Sequence, residues 1–222
     1  MRRVFDFLTA SMLLLLVSPI LLVIALAVRL QDGGPVLFRQ ERIGRHGKPF
    51  QLWKFRSMST NNRGTAITSG GDRRITPLGR MLRRYKLDEL PQLWNVLRGD
   101  MSFIGPRPEV PCFVDSSDPV WQTVHSVRPG ITDLATLVYR DEESILAGYS
   151  DPERGYREAV LPAKLALNLE YLERRSAMRD LKLLALTVRY SFIPGGFDPD
   201  RIKQAILPAA RDARPLAPET RA

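Results

Sequence analysis

Two adjacent carboxylates, Asp88 and Glu89, stand in a strongly cationic segment, with arginine or lysine at positions 83, 84 and 86. Nearby positive charge favours the ionised form of an acid, so both side chains are expected to be carboxylates. An ionised carboxylate can attack phosphorus or carbon, or hold a divalent cation. The plainer alternative is a solvated helix face with ion pairs such as Arg84 with Asp88. These residues alone favour the plainer alternative, and the rest of the chain reverses that preference.

Residues 50–55 have a pattern that is typical of a short strand. Two further cations lie at its end, Lys54 within the run and Arg56 directly after it. Side chains alternate along a strand, so the two cations are expected on one side of it. Facing a diphosphate, they would offset developing negative charge. Facing solvent, they would be an ordinary polar edge.

Arg107 lies between Pro106 and Pro108. The prolines restrict the backbone torsions around one guanidinium and lower the entropy lost when it grips a phosphate bidentately. Arg128, followed by proline and glycine, repeats the arrangement. The alternative at both positions is a loop arginine beside turn prolines, and the residues alone do not decide between the two.

The chain has 222 residues and a formal charge of +9, which suits anionic partners such as lipid, nucleic acid or phosphorylated substrates. Cys112 is the lone cysteine, so no intramolecular disulfide can form. With only His46 and His125 beside it, the composition argues against a zinc site.

Residues 7–28 carry no charge and form a run long enough to cross a membrane of roughly 30 Å as one helix. A single transmembrane anchor and a secretory signal are the two plain interpretations. Ser18 and Pro19 at its middle argue against both, because proline kinks or breaks a helix. Each half would then rise only about 16 Å. Arginines flank both ends and resist translocation. We therefore expect a re-entrant helix–break–helix that enters and leaves the same leaflet.

The remaining pattern predicts a mixed, helix-rich α/β protein. Its expected parts are a re-entrant membrane helix (1–30), a compact cytoplasmic domain (31–193) with amphipathic interfacial helices, and a loosely ordered tail (194–222). Short strands are expected at residues 36–38 and 50–55, and a polar loop at 60–72.

Helical segments are expected to open at Thr76 and Pro77 and to cover residues 158–192, interrupted near Ser176. A bend is expected at Pro91.

Several motifs occur in a fixed order behind the apolar segment. They are residues 33–44 (GGPVLFRQERIG), 54–58 (KFRSM), 87–96 (LDELPQLWNV), 99–102 (GDMS), 105–108 (GPRP) and 128–132 (RPGIT). In this order they resemble the bacterial sugar transferases called monotopic phosphoglycosyltransferases. The resemblance is dense over residues 7–132 and looser in the helix at residues 169–182.

The resemblance implies transfer of a sugar-1-phosphate from a UDP-sugar to a polyprenyl phosphate, with release of UMP and a requirement for Mg²⁺. It implies that Asp88 is the nucleophile and that Glu89 orients it, assists proton transfer or helps hold the metal. Arg107 would bind nucleotide phosphate, and Lys54, Arg83 and Arg128 would line the anionic substrates.

The resemblance also implies a place on the cytoplasmic face of the bacterial inner membrane, at the start of glycan assembly. It implies inner-leaflet lipid as a partner and no nucleic acid, and it leaves a homodimer open. The break at Ser18 and Pro19 matches the family's re-entrant helix. The chain departs from many relatives at Asp133 and over residues 134–143, a region expected to help read the sugar.

Two other functions stay open at this point. One is a basic, membrane-anchored scaffold that binds anionic lipid or nucleic acid without catalysis. The other is an enzyme that transfers the phosphosugar in one step, with no covalent intermediate on Asp88.

Overall fold

The computed structural model describes residues 2–59, 67–68, 71–193 and 195–208, and the predicted helix-rich α/β class is confirmed over these residues. The helices are α1 Arg2–Asp32, α2 Pro77–Arg84, α3 Gln92–Arg98, α4 Pro119–Val124, α5 Leu134–Val138, α6 Glu142–Leu146, α7 Pro152–Gly155, α8 Leu161–Glu173, α9 Ala177–Phe192 and α10 Pro199–Ile206. The strands are β1 Leu37–Ile43, β2 Pro49–Phe55, β3 Ser102–Ile104 and β4 Gly130–Thr132. Most of the loop expected at residues 60–72 lies outside the described residues.

Two small sheets hold the domain together. β1 and β2 form an antiparallel hairpin in which Leu37 pairs with Phe55, so both predicted strands are confirmed. β3 and β4 form a parallel pair that the sequence pattern did not predict. β3 precedes the loop that carries Arg107, and β4 follows the loop that carries Arg128. The parallel pair therefore brings these two loops close together.

The long helix α1 continues through Pro19, so the predicted interruption there is absent. Proline at this position has no N–H to donate to the carbonyl of Leu15, four residues earlier. The Ser18 hydroxyl donates to that same carbonyl over 2.8 Å. The freed acceptor is therefore satisfied within the helix, which explains how the helix passes the proline without ending.

One side of α1 packs on the rest of the chain from end to end. Ala10, Ile24 and Val28 are buried, and Arg3 donates to the carbonyls of Val96 and Leu97 near the start of the helix. The rest of its surface is largely apolar and exposed, and the exposed large apolar residues are Val4, Phe5, Phe7, Leu8, Met12, Leu15, Leu16, Ile20, Leu22, Val23, Leu26 and Leu30. By length and composition α1 could cross a membrane.

The C-terminal helices complete the core. The predicted interruption near Ser176 is confirmed, since α8 ends at Glu173 and the Ser176 hydroxyl caps α9 by accepting from the Arg179 N–H. The expectation of a loosely ordered tail is wrong for residues 195–208. There, α10 buries Ile202 and Ile206 in the main core, because its two isoleucines share one helical face.

Asn95 on α3 ties that helix to the hairpin. Its amide oxygen accepts from the Trp53 N–H over 3.1 Å, and its amide nitrogen donates to the Gln51 carbonyl over 2.7 Å. The side chain is fully buried and satisfies the edge of β2 that faces away from β1. The strand that carries Lys54 is thereby held beside the helix that follows Asp88 and Glu89.

Candidate active site

Asp88 and Glu89 lie on a tight reversal between α2 and α3, which we call the carboxylate turn (residues 86–90). Helix α2 ends at Arg84, and Lys86 adopts a left-handed conformation with φ of 57°. A 3-10 turn over Leu87–Glu89 follows, and α3 begins directly after Pro91. Leu90 and Pro91 have right-handed helical torsions, and the left-handed residue of the segment is Lys86. The bend expected at Pro91 is therefore not shown, and both carboxylates belong to one short segment.

Glu89 is held by two cations. The Arg107 guanidinium donates to both of its carboxylate oxygens, over 2.7 Å and 3.2 Å, and the Lys54 ammonium lies 3.7 Å away. Burial opposes ionisation, but the charges of Arg107 and Lys54 prevail and hold the pKa of Glu89 well below its usual range. Glu89 is therefore a carboxylate at neutral pH, as the sequence predicted.

Asp88 is in a different environment. It is only 5% exposed, and its Oδ1 has no hydrogen-bond partner among the described residues. Burial, and then the negative charge of Glu89, raise its pKa, while Lys54 and other cations act in the opposite direction. The cationic surroundings that were expected to favour ionisation of both acids are outweighed at Asp88 by burial and by the charge of Glu89, so the pKa of Asp88 moves upward.

The plainer alternative, an Arg84–Asp88 ion pair on a solvated face, is not present. The Arg84 guanidinium instead lies 5.7 Å from the ring centroid of Tyr85. A buried carboxylate oxygen without a partner is costly to maintain, so the arrangement indicates a reactive or ligand-binding group.

The loop that presents Arg107 is fixed from both sides. The Arg107 N–H donates to the buried Asp133 carboxylate, which also caps the start of α5. The Pro108 carbonyl accepts from Arg42 over 3.0 Å. The Pro106 carbonyl accepts from the Gly130 N–H over 3.0 Å. Hydrogen bonds thus hold the backbone around Arg107, and its guanidinium points at Glu89, while its grip on a phosphate stays a prediction.

Lys54 reaches the same carboxylate from β2. Its desolvation lowers the pKa of the ammonium to about 8, although the charge of Glu89 acts in the opposite direction. Arg107, Glu89 and Lys54 therefore form one compact group. Asp88 lies beside this group because it directly precedes Glu89 in the carboxylate turn.

Arg56 does not join this group. β2 ends at Phe55, so the expected alternation does not extend to Arg56. Its buried guanidinium pairs with Asp32 and donates to the Val28 carbonyl over 3.3 Å, both at the end of α1. The prediction that Lys54 and Arg56 face one ligand is wrong here, because the acidic end of α1 occupies Arg56.

The other two predicted substrate contacts have protein partners as well. Arg83 pairs with Glu143 on α6, and its positive charge acts on Asp88. Arg128 donates to the Gly99 carbonyl over 3.0 Å. Gly99 ends α3, so Arg128 lies at the opposite end of that helix from the carboxylate turn. The substrate roles of both arginines stay predictions.

The donor set fits Mg²⁺ only if the substrate supplies most of the ligands. Within the described residues no group of three or more histidine, cysteine, aspartate or glutamate side chains can hold a metal. Asp88 Oδ1 is free to act as a ligand, whereas both oxygens of Glu89 already accept from Arg107. One or two carboxylates completed by phosphate oxygens and water is the usual manner of binding Mg²⁺.

Two contributors were missed by the sequence reasoning. Lys86 adjoins the carboxylates and acts on both through its charge, and its place within the cationic segment was the available signal. Asp133 was treated only as a departure in the sugar-reading region, yet it holds the backbone of Arg107. No sequence signal indicates the contact between Asp133 and Arg107, since the two residues are 26 positions apart along the chain.

Several known proteins are similar to this chain in sequence. Residues 1–193 match the family model described as bacterial sugar transferase. The UDP-glucose:undecaprenyl-phosphate glucose-1-phosphate transferase of Escherichia coli (strain K12) is 39% identical over 202 residues, 87% of this chain and 40% of that protein. A protein of the same name from Caulobacter vibrioides is 38% identical, over 84% of this chain and 68% of that protein.

A relative with a different sugar in its name also matches. It is the UDP-N-acetylgalactosamine-undecaprenyl-phosphate N-acetylgalactosaminephosphotransferase of Aeromonas hydrophila, 43% identical over 62% of this chain and 34% of that protein. This chain thus spans less than half the length of two of these three relatives. The family match covers most of the chain, including the carboxylate turn and the Arg107 loop, and the chain belongs to the bacterial sugar transferase family.

Proposed function

We propose that this protein transfers a sugar-1-phosphate from a UDP-sugar to a polyprenyl phosphate, releasing UMP and starting the assembly of a glycan. Its relatives carry this reaction in their names. The observation that carries the proposal is the buried, unpartnered Oδ1 of Asp88 beside a Glu89 that two cations hold ionised. This is the environment of a nucleophile that awaits an electrophilic, anionic group.

In the first proposed step, Asp88 Oδ1 attacks the sugar-linked phosphorus of the donor. A new P–O bond forms to Asp88, and the bond to the bridging oxygen breaks, so the electron pair leaves with UMP. The product is a phosphosugar ester of Asp88. No proton needs to move in this step, because the nucleophile enters as a carboxylate and UMP leaves as a phosphate anion.

In the second proposed step, a phosphate oxygen of the polyprenyl phosphate attacks the same phosphorus. The bond to Asp88 breaks and returns the carboxylate, and the lipid leaves as a diphosphate-linked sugar. A covalent intermediate lets two bulky anionic substrates use one site in turn.

Two cations of the protein are positioned to stabilise the negative charge of the reacting phosphates. Lys54 and Arg107 lie against Glu89 and supply positive charge next to the reacting phosphates. Glu89, with both oxygens committed to Arg107, orients that arginine and does not act as a free base in this arrangement. Mg²⁺, held by Asp88 and the diphosphate, would supply further neutralisation of the transferring group.

We further propose that α1 inserts into one leaflet and keeps both ends on the cytoplasmic side of the inner membrane. Near its start, Asp6 accepts from the Ser102 hydroxyl over 2.9 Å, and at its end Asp32 pairs with Arg56. Both ends thus contact the same domain, whereas a spanning helix would place them on opposite sides. A cysteine at position 4 or at position 30, each in a Cys112→Ser background and labelled in intact cells with an impermeant maleimide, tests this. Labelling of either one from outside would refute it.

The reaction is tested by intact-protein mass spectrometry on nanodisc-held protein given Mg²⁺ and a panel of UDP-sugars without lipid acceptor. We expect a mass gain of one sugar phosphate that is absent in Asp88→Asn, an isosteric change. That result also names the donor.

Two outcomes favour the other functions. UMP release that requires polyprenyl phosphate, with no adduct, indicates transfer in one step. Lipid binding that survives Asp88→Asn, with no turnover of any UDP-sugar by the unaltered protein, indicates a scaffold.

A further inference from the structure

A cavity of about 240 Å³ adjoins the carboxylate turn. One end is formed by the turn itself, including Lys86 and Glu89. The walls come from α3, β3, β4 and α5, and α9 closes the outer side. Most of the lining is leucine, isoleucine, valine and phenylalanine side chain, so the cavity suits an apolar occupant that begins at the carboxylate turn, where Glu89 lines the cavity.

Charged groups occur at few places on this lining. Besides Glu89, which Arg107 and Lys54 neutralise, they are Lys86 and Arg140. Neither Lys86 nor Arg140 has an ion-pair partner within the part of the chain that the structure describes. An occupant that carries a phosphate at one end and hydrocarbon along the rest matches this distribution of charge.

The outer wall of the cavity is also an exposed apolar surface. Val188 and Phe192 line the cavity, and yet they are 53% and 64% exposed. Met178 and Leu181 continue the exposed apolar face along α9 at helical spacing. Such an exposed apolar face suits a membrane interface, and Val188 and Phe192 belong both to this face and to the lining of the cavity.

From these observations we infer that the cavity holds the isoprene units nearest the phosphate of the lipid acceptor, with that phosphate between Lys86, Arg140 and Asp88. This inference rests on the proposed function and adds to it the route by which the acceptor enters, past α9. The cavity is far smaller than a polyprenyl chain, so the remainder of the chain stays in the bilayer. The donor's polar nucleoside is excluded by the apolar lining.

Filling the cavity tests this inference. Val188→Trp and Ser191→Trp place an indole in or across it, and Met178→Trp and Leu181→Trp add the same group to α9 away from it. We expect the first pair to raise KM for a short-chain polyprenyl phosphate about tenfold, the loss of one well-buried apolar contact. Adduct formation and UMP release without acceptor should stay within about twofold of the unaltered protein. The control pair should change neither.

Other results overturn the inference. A raised KM for the UDP-sugar with an unchanged KM for the acceptor would assign the cavity to the donor, and no change in either would leave it without a role in the reaction. Failure of the unaltered protein to release UMP from any UDP-sugar would instead refute the proposed function.

A second measurement needs no substitution. A polyprenyl phosphate with a diazirine near its phosphate is cross-linked to the unaltered protein, and the labelled peptides are identified by mass spectrometry. Labels on α5 and α9 are expected, and labels confined to α1 would refute the route past α9.

Discussion

The lowered pKa of Lys54 predicts an alkaline limit to donor use. A lysine with a pKa of about 8 is about 90% charged at pH 7 and about 10% charged at pH 9. If its charge binds the donor diphosphate, kcat/KM for the UDP-sugar is level between the acidic limb set by Asp88 and about pH 8, and it falls about tenfold per pH unit above that. The limb belongs to the free enzyme, because a bound diphosphate would favour the charged lysine and raise its pKa.

Two substitutions of Lys54 separate charge from packing. Lys54→Arg keeps a charge throughout this range, so the alkaline limb should disappear even if the rate is lower. Lys54→Met removes the charge and should lower kcat/KM about 10- to 100-fold at pH 7, the loss of one charge-assisted contact, and it should also abolish the limb. Lys48→Met, an exposed lysine on the same hairpin, is the matched control and should leave the profile unchanged.

The assay is single-turnover UMP release without lipid acceptor, measured from pH 6 to pH 10 at limiting UDP-sugar. Circular dichroism at each pH confirms that the protein stays folded. A limb near pH 8 that persists in both Lys54 variants would refute the reasoning, because another group would then be titrating.

Three further outcomes are expected. Glu89→Gln removes a negative charge that, together with burial, raises the pKa of Asp88. Activity is expected to fall at low pH as Asp88 protonates, and in this variant the fall should occur at lower pH. An unmoved acidic limb would contradict this. Gly130→Ala should lower Tm by roughly 5 °C, because its Cβ would meet the backbone of the facing loop, whereas Gly195→Ala should not. Arg56→Met should lower Tm while changing the donor KM less than about twofold; an unchanged Tm with a raised KM would restore Arg56 as a substrate contact.

What the sequence predicted correctly depends on neighbours along the chain. The hairpin and the interruption near Ser176 follow from residues a few positions apart. The expected interruption at Pro19 is absent, because the Ser18 hydroxyl donates to the carbonyl that the proline leaves free and the helix can continue.

What the sequence could not predict depends on contacts between distant segments. The raised pKa of Asp88 arises from burial, which only the packed domain creates. The partner of Arg56 is Asp32, the last residue of α1, which lies 24 positions earlier in the sequence. The helix α10 was missed because its short amphipathic pattern is followed by a proline- and arginine-rich tail, which dominates the composition of that region.

The helix α1, which we propose to insert into lipid, also forms a wall of the domain that carries the carboxylate turn. Ile24 and Val28 of α1 are buried in one cluster with Phe55 and Leu82, the end of β2 and the core face of α2. Leu87 and Leu90, which flank the two carboxylates, pack on the same cluster. If α1 inserts into one leaflet as proposed, the depth of the carboxylate turn relative to the bilayer is set by these same apolar contacts. The proposed lipid phosphate would then meet a carboxylate whose height above the membrane does not depend on a flexible linker, as transfer to a membrane-bound acceptor would require.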